Sequence, residues 1–255
     1  MKIDAVKFED GAPLSPYLRR HFVRSLTRKH FEADGSWFDE AAELARGEWQ
    51  NDGYFNARVE GSSIILREDS TAIHAALALS IDQGRRYRLG EVHIRNADPS
   101  AAGLAIPETR VRELMPLRSG DLFNVGKIWN GLEALKDAYG NEGYIDFTAQ
   151  PQTDVDEARG IISLTLELQE ERRYYIGKVE IIGLDPAKQH LLKSPPKSGE
   201  LFRLQRIKEF YRMNRDILPS GATYWTSMDF ARDAGIGTVD LKFDFHVFVC
   251  PQFDE

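Results

Sequence analysis

Histidine and cysteine, the residues that most often bind metals or act as nucleophiles, are few and scattered in this chain. The six histidines stand at positions 21, 30, 74, 93, 190 and 246, and no pair has the His-x-x-x-His spacing of a zinc-binding helix. His93 and His246 alternate with apolar residues, which predicts the solvent side of a strand. The one cysteine, Cys250, excludes an intramolecular disulfide and a cysteine zinc cage. We therefore predict no metal site.

Other catalytic patterns are also missing from the sequence. Gly235-Ile236-Gly237 lacks the third glycine of a dinucleotide-binding loop, and no helix is expected after it, so it predicts a hairpin turn. No Gly-x-Ser-x-Gly motif occurs, and nothing in the sequence brings two carboxylates together. We expect a protein that is not an enzyme and needs no cofactor.

Composition excludes several classes of protein. The net charge of −7 argues against nucleic-acid binding, because phosphate contacts need concentrated positive charge. With 42% hydrophobic and 29% charged residues the chain is typical of a globular protein, and no apolar run reaches the roughly 20 residues of a membrane-spanning helix. The N-terminus has no apolar core and is not a signal peptide.

The predicted first helix carries a stripe of basic residues. Arg20, Arg24 and Arg28 are four residues apart on a predicted first helix, opposite Phe22 and Leu26. Such a stripe is usually a solvated face. The alternative is contact with an acidic partner or with anionic lipid head groups.

The sequence contains repeated motifs that indicate repeated structural units. Residues 85–94 and 172–181 both read Arg-Arg-Tyr-x-apolar-Gly-x-Val-x-Ile, an offset of 87 residues between positions 85 and 172. Residues 117–123 return as 196–202, and a fainter copy stands at 33–38. A period of this length fits a small domain copied in tandem, and three copies account for the chain.

Periodicity within the copies predicts strand, helix, helix, strand, strand. We therefore predict an α+β fold of tandem βααββ domains, each a three-stranded mixed sheet covered by two helices. In the first copy the first helix is expected at about 15–30, with strands at 55–67 and 73–81. In the third copy the last two strands are expected at 223–230 and 238–249, while Asn124 is the expected cap of the long helix in the second copy.

The predicted domains follow one another almost without linkers, so neighbours should be coupled. Their expected limits are 1–86, 87–173 and 174–250, followed by a tail at 251–255. Tyr87, Leu89, Tyr174 and Ile176 are the candidate inter-domain joint: we expect the tyrosines to pack at the junctions, with the paired arginines solvated or bound to nearby glutamates. The alternative is that the arginines form a basic clamp.

These motifs together resemble a known family. Leu-x-Ser-Gly-Asp/Glu-Leu-Phe before the long helix, Asn-Glu-Gly-Tyr at 141–144 and Tyr-x-Ile-Gly-Lys-Val-Glu-Ile opening the next copy are similar to POTRA domains of Omp85-type outer-membrane assembly and secretion proteins. The resemblance covers residues 87–249 and is fainter before Ser80. It implies a central third strand, with the second strand as the free edge.

The resemblance also implies a function. Family members are periplasmic, attached to an outer-membrane barrel, and bind unfolded or nascent outer-membrane or secreted polypeptides, with accessory lipoproteins as further partners. Because relatives continue into a barrel, we expect either a trimmed piece of a longer chain or a relative without a barrel. The alternative function is an envelope scaffold or division-type protein that uses the same module only for docking.

The expected binding mode is β-augmentation, in which an exposed edge strand pairs with an extended client segment. The alternative is that each edge is solvated and protected by charge and proline, as Pro151 suggests for the second domain. The candidate edge residues are Phe55, Asn56, Ala57, Arg58 and Val59; Phe147, Thr148, Ala149 and Gln150; and Tyr224, Trp225, Thr226, Ser227 and Met228.

Overall fold

The computed structural model describes residues 2–9, 16–29 and 37–246, and within them it contains six helices and nine strands. The elements follow the order βααββ three times, as the sequence predicts. They are β1 (Lys2–Glu9), α1 (Pro16–Arg28), α2 (Trp37–Asn51), β2 (Arg58–Glu68), β3 (Ile73–Asp82), β4 (Arg88–Asn96), α3 (Glu108–Leu114), α4 (Val125–Asn141), β5 (Thr148–Asp156), β6 (Ile161–Gln169), β7 (Tyr175–Ile182), α5 (Pro186–His190), α6 (Leu204–Met213), β8 (Met228–Asp233) and β9 (Thr238–Asp244).

Each repeat forms one three-stranded sheet, with strand orders β1-β3-β2, β4-β6-β5 and β7-β9-β8. In the first and third sheets the first strand pairs parallel with the central strand, and the second strand pairs antiparallel with it. The third strand of each repeat is therefore central, as the resemblance implied. Both the first and the second strands are sheet edges.

The central strands carry the core because their side chains alternate. Along β6 the residues Ile162, Leu164, Leu166 and Leu168 are buried, while those between them are half-buried. This period of two places one face of the sheet against helices. Burial of an alternating apolar face is the main term that stabilises such a layer.

The first and third repeats have separate apolar cores. In the first, Phe22 and Leu26 of α1 pack with Trp49 of α2 and with Leu77 and Leu79 of β3. In the third, aromatic residues of α6 and β9 make ring contacts. They are Phe210, Tyr211, Phe243 and Phe245, with centroid distances of 5.2–6.4 Å.

Contacts divide the chain into two compact units. Unit 1 comprises residues 1–95, 112–132 and 151–166, and unit 2 comprises 96–111, 133–150 and 167–255. The second repeat is shared between the units, so each unit holds one junction between consecutive repeats. The predicted limits of the three domains remain a prediction.

Three predicted strand limits in the third repeat differ from the structure. The second strand spans Met228–Asp233 instead of 223–230, and it begins later because Thr223 and Thr226 bond to each other and to backbone groups in a turn. The third strand ends at Asp244. The rest of its predicted span, 247–249, and Cys250, the tail 251–255, Ser15, His30 and the first-copy motif at 33–36 lie outside the described residues.

Strand β2 contains an irregularity near its end. Its register against β3 shifts between Ile65 and Arg67, so Leu66 is an extra residue in a β-bulge. Ile65 and Leu66 are 67% and 54% exposed. Among the described residues, none of the helices has the length and hydropathy to cross a membrane.

Candidate functional site

The first copy of the Arg-Arg-Tyr motif, residues 85–87, forms the junction between the first and second repeats, and this junction lies within unit 1. The Tyr87 N–H donates to the Gly53 carbonyl over 2.8 Å, and the Tyr87 carbonyl accepts from the Phe123 N–H over 3.1 Å. The Arg88 N–H donates to the Gly160 carbonyl over 3.0 Å. Residues 87 and 88 therefore hydrogen bond to the loop that follows α2 in the first repeat, to the loop before α4 and to the β5–β6 turn.

The junction between the second and third repeats, within unit 2, has the same backbone bonds. The Tyr174 N–H donates to Gly143 over 2.9 Å, and its carbonyl accepts from the Phe202 N–H over 3.1 Å. The Tyr175 N–H donates to Gly237 over 2.9 Å. The Ser-Gly-Asp/Glu-Leu-Phe motif and the Arg-Arg-Tyr motif thus recur together because the phenylalanine N–H of one donates to the tyrosine carbonyl of the other.

The four candidate joint residues are buried at these places. Tyr87, Leu89, Tyr174 and Ile176 are each at most 2% exposed. Their burial fits a packing role rather than display to a ligand.

The hydroxyl of Tyr87 joins two repeats. It donates to Glu157 Oε2 over 2.6 Å and accepts from Asn56 Nδ2 over 3.1 Å. Burial, followed by the Glu157 carboxylate, raises the pKa of Tyr87 above its ordinary value, because both disfavour the phenolate.

The hydroxyl of Tyr174 has a different partner. It donates to Asp146 Oδ2 over 2.6 Å, and Asp146 also forms an ion pair with Arg232 of β8. The hydrogen bond to Asp146, followed by burial, raises the pKa of Tyr174, and Arg232 opposes the increase.

The paired arginines bind neighbouring groups at both junctions. Arg86 pairs with Asp52 over 2.7 Å and lies over the Tyr54 ring at 5.6 Å. Arg173 pairs with Glu142 over 3.7 Å and lies over the Tyr144 ring at 5.2 Å. The first arginine of each pair donates to turn carbonyls: Arg85 to Ala158 over 3.3 Å, and Arg172 to Gly235 over 3.0 Å.

Asparagine side chains link helices of successive repeats, which sequence reasoning missed. Asn51, the last residue of α2, accepts from the Gly126 N–H in the first turn of α4 over 2.7 Å. Asn141, the last residue of α4, accepts from the Gln205 N–H in the first turn of α6 over 2.9 Å. Helix α4 also has the predicted cap, since Asn124 accepts from the Lys127 N–H over 2.7 Å, whereas α6 has no side-chain cap of its own.

The predicted edges of the first two repeats are placed as follows. Phe55, Asn56 and Ala57 precede β2, whereas Arg58 and Val59 begin it. Phe147 precedes β5 and is buried, with its ring stacked on Tyr139 at 3.9 Å. The β5 residues Thr148 and Gln150 are exposed and polar, Ala149 is half-buried, and Pro151 follows them.

The predicted edge of the third repeat lines a groove. Only Met228 lies on β8; Tyr224, Trp225, Thr226 and Ser227 form the turn before it, and Ser227 is buried. The groove, of about 460 Å³, lies between β8, α6 and the end of α4. Trp225 and Phe230 on its wall are 80% and 52% exposed. Its other lining residues include Tyr144, Ile145, Phe202, Leu204, Lys208, Tyr224 and Met228.

The pairing of β8 determines which backbone groups face outward. The Asp244 N–H donates to the Ser227 carbonyl over 3.0 Å, and the β8–β9 register contains no shift. Because hydrogen-bonded and non-hydrogen-bonded pairs alternate in an antiparallel ladder, the N–H and C=O groups of Met228, Phe230 and Arg232 point to the free edge. Their side chains lie on the same face as the buried Leu241 and Phe243.

The predicted basic stripe and one unpredicted histidine lie in the first repeat. Arg20, Arg24 and Arg28 are all exposed along α1. His74 is buried, with Nδ1 3.0 Å from Asp4 and Nε2 3.1 Å from Asp69. Bonds from the Thr71 hydroxyl and from backbone N–H groups hold the pKa of Asp69 well below its ordinary value. Among the described residues, no group of acidic, histidine or cysteine side chains could hold a metal ion.

Sequence comparison links this geometry to a family. Residues 92–171 match the profile of POTRA, described as "surface antigen variable number repeat". Over 168 residues the chain is 21% identical to outer membrane protein assembly factor BamA of Neisseria meningitidis serogroup B, covering 63% of this chain and 20% of the relative. Over 204 residues it is 24% identical to a putative outer membrane protein assembly factor of Treponema pallidum, covering 78% and 23%. The chain thus matches about a fifth of the length of these relatives.

Structural comparison agrees over a longer span. POTRA domains 3–5 of BamA from Haemophilus influenzae superpose with a TM-score of 0.65 at 16% identity, covering 96% of each chain. This likeness establishes the fold, and the POTRA resemblance drawn from the motifs is confirmed. Residues 92–171 therefore match a POTRA domain, and the chain has the fold of tandem POTRA domains.

Proposed function

We propose that this chain is the POTRA arm of an Omp85-type outer-membrane assembly or secretion protein, and that it works in the periplasm without catalysis. Its partners are unfolded or nascent outer-membrane or secreted polypeptides, accessory lipoproteins and an outer-membrane barrel of the same protein. Support comes from the names of the relatives, of which this chain matches about a fifth.

The proposed binding mode is β-augmentation, and the observation that carries it is the groove beside β8. An extended client strand would pair with the outward N–H and C=O groups of Met228, Phe230 and Arg232. Its alternate side chains would enter the groove against Trp225 and Phe230, two exposed aromatic residues that lie together on its wall. Strand β5 offers no such apolar wall, and Pro151 removes one backbone donor from it.

The test is an NMR titration of the chain with an extended peptide that alternates apolar and polar residues. We expect shifts on β8 and the groove, and about tenfold weaker binding for Trp225→Ala. Trp129→Ala is the matched control, since Trp129 is also exposed but does not line the groove. Shifts confined to residues away from the second strands of all three repeats would contradict β-augmentation.

Two substitutions at one position separate the backbone from the side chain. Phe230→Ala removes the ring and keeps the outward N–H, whereas Phe230→Pro removes both, and proline is tolerated at sheet edges. We expect Phe230→Pro to weaken peptide binding clearly more than Phe230→Ala. Equal effects of the two substitutions would show that the strand backbone does not bind the peptide.

A further inference from the structure

Helix α1 carries a concentration of positive charge that contrasts with the rest of the protein. It contains four arginines and no carboxylate in 13 residues, although the chain as a whole has a net charge of −7. Arg20, Arg24 and Arg28 are exposed and lie one turn apart, so they extend over about 12 Å of the helix. Tyr17, 69% exposed, begins the same row. These four residues are here named the arginine row.

The charges of the arginine row are not neutralised within the described part of the chain. No ion pair joins Arg20, Arg24 or Arg28 to any residue described by the structure. The neighbouring helix α2 behaves differently, since three of its four carboxylates have basic partners: Glu40 pairs with Lys29, Glu43 with Arg46, and Glu48 with His21.

The surroundings of the arginine row determine which anionic partner fits. Phe22 and Leu26 on the apolar side of α1 are fully buried, so the helix does not offer these residues to a bilayer. A flat anionic membrane laid on the two helices would also meet the exposed carboxylate of Asp39 at the start of α2, which has no basic partner among the described residues. Repulsion there favours a narrow anionic partner that follows α1 alone.

We propose that the arginine row is a docking site for an acidic segment of a protein partner, with carboxylates about one helical turn apart. Guanidinium groups suit this ligand because each can bind a carboxylate through two hydrogen bonds. The exposed ring of Tyr17 provides an apolar contact at one end. This site is independent of the β8 groove and differs from it in ligand, since one takes an acidic segment and the other an extended apolar strand.

The test measures binding of a labelled synthetic helical peptide with glutamates four residues apart to the 255-residue chain. The triple variant Arg20→Gln, Arg24→Gln, Arg28→Gln should bind about tenfold more weakly, because each exposed ion pair contributes little alone and three act together. Raising the salt from about 50 mM to about 500 mM should remove most of the binding. The same peptide with glutamine for glutamate should not bind.

The matched control is the triple variant Lys188→Gln, Lys197→Gln, Arg215→Gln, which removes the same charge from exposed positions elsewhere. It should leave the affinity within about twofold of the original. Equal weakening by both triple variants would overturn the proposal, because net charge alone would then explain binding. Binding to phosphatidylglycerol vesicles without binding to the peptide would also overturn it, in favour of a lipid surface.

Discussion

The two repeat junctions share their backbone bonds but differ in the side chains that reinforce them. At the first, Tyr87 lies between a neutral amide, Asn56, and the carboxylate of Glu157. At the second, Tyr174 donates to Asp146, which also pairs with Arg232. The backbone bonds set the geometry, and the side chains have diverged around it. We infer from this that Tyr87, Leu89, Tyr174 and Ile176 are the joint between repeats.

The junctions also differ in how far one repeat depends on the other. Helix α4 has a cap within its own repeat, Asn124, in addition to Asn51. Among the described residues, helix α6 has only Asn141 as a side-chain cap, and Asn141 belongs to the preceding repeat. The third repeat therefore needs its neighbour to complete a helix, whereas the second does not.

The largest expected loss of stability comes from substituting the glycines that follow α2 and α4. Gly53 and Gly143 have φ values of +92° and +90°, which side chains disfavour. A methyl group at Gly143 would lie 2.7 Å from Leu201 Cδ1, whereas the nearest atom at Gly53 is 3.1 Å away. We expect Gly143→Ala to cost about 3 kcal/mol and Gly53→Ala about 2 kcal/mol.

Hydrogen exchange of peptides from each unit, measured by mass spectrometry, gives the local free energy of opening. Gly199→Ala is the control, because its φ is +84° but nothing lies within 4 Å of the added methyl group. It should cost about 1 kcal/mol. A cost at Gly143 no greater than at Gly199 would show that the second junction is not closely packed.

The next effect separates the two caps. Asn141→Ala should destabilise α6 by about 1 kcal/mol, because no other side chain caps it. Asn51→Ala should cost about 0.5 kcal/mol, because Asn124 still caps α4. Circular dichroism during denaturant unfolding reports both. Equal losses of stability in the two variants would contradict the inference that α6 depends on the preceding repeat more than α4 does.

A smaller effect is expected from the charge at the second junction. Asp146→Asn keeps an acceptor for Tyr174 but removes the ion pair with Arg232, which is partly exposed, so we expect a loss of about 0.5 kcal/mol. The loss should shrink at high salt. A loss that salt does not change would indicate that the hydrogen bond, not the ion pair, provides the stability.

The smallest effect at neutral pH comes from tyrosine ionisation. The folded state raises the pKa of both tyrosines above 10.0, so it holds the phenol proton more tightly than the unfolded state does. The stability this provides is present below pH 10 and is lost as the pH rises through the raised pKa. Unfolding followed from pH 8 to pH 11 should show the loss, and Tyr174→Phe should reduce it. Asp146→Asn should lower the pKa of Tyr174 toward its ordinary value, because the neutral amide weakens the hydrogen bond that mainly raises this pKa and removes the negative charge beside the phenol. A loss of the same size in Tyr174→Phe would contradict this assignment.

The fold was largely predictable because its signals are local or repeated. The period of two along β6, the Asn124 cap and the recurrence of the Arg-Arg-Tyr motif are all readable from the sequence. The start of β8 was not, because Thr223, Tyr224 and Trp225 have high strand propensity. The threonine hydroxyls instead stabilise a turn there.

The site details could not be predicted, because they depend on contacts between distant residues. Asn141 caps a helix at Gln205, which is 64 residues later in the sequence. His74 lies 3.0 Å from Asp4, which is 70 residues earlier. A polar residue at a helix end or on a strand gives no sign of such a partner. The repeated position of Asn51 and Asn141 before Asp/Glu-Gly-Tyr was a signal that could have identified the caps.

The β-bulge at Leu66 has a consequence for the solubility of the protein. Strand β2 is eleven residues long, lies at a sheet edge and exposes two large aliphatic side chains, which together would let copies of the chain stack edge to edge into fibrils. The register shift at Leu66 interrupts the regular row of backbone donors and acceptors, and Arg67 and Glu68 place charge just beyond it. The regular part of the edge therefore ends at Ile65, and the two exposed aliphatic side chains lie beside the bulge and the charges of Arg67 and Glu68, which disfavour pairing with another copy.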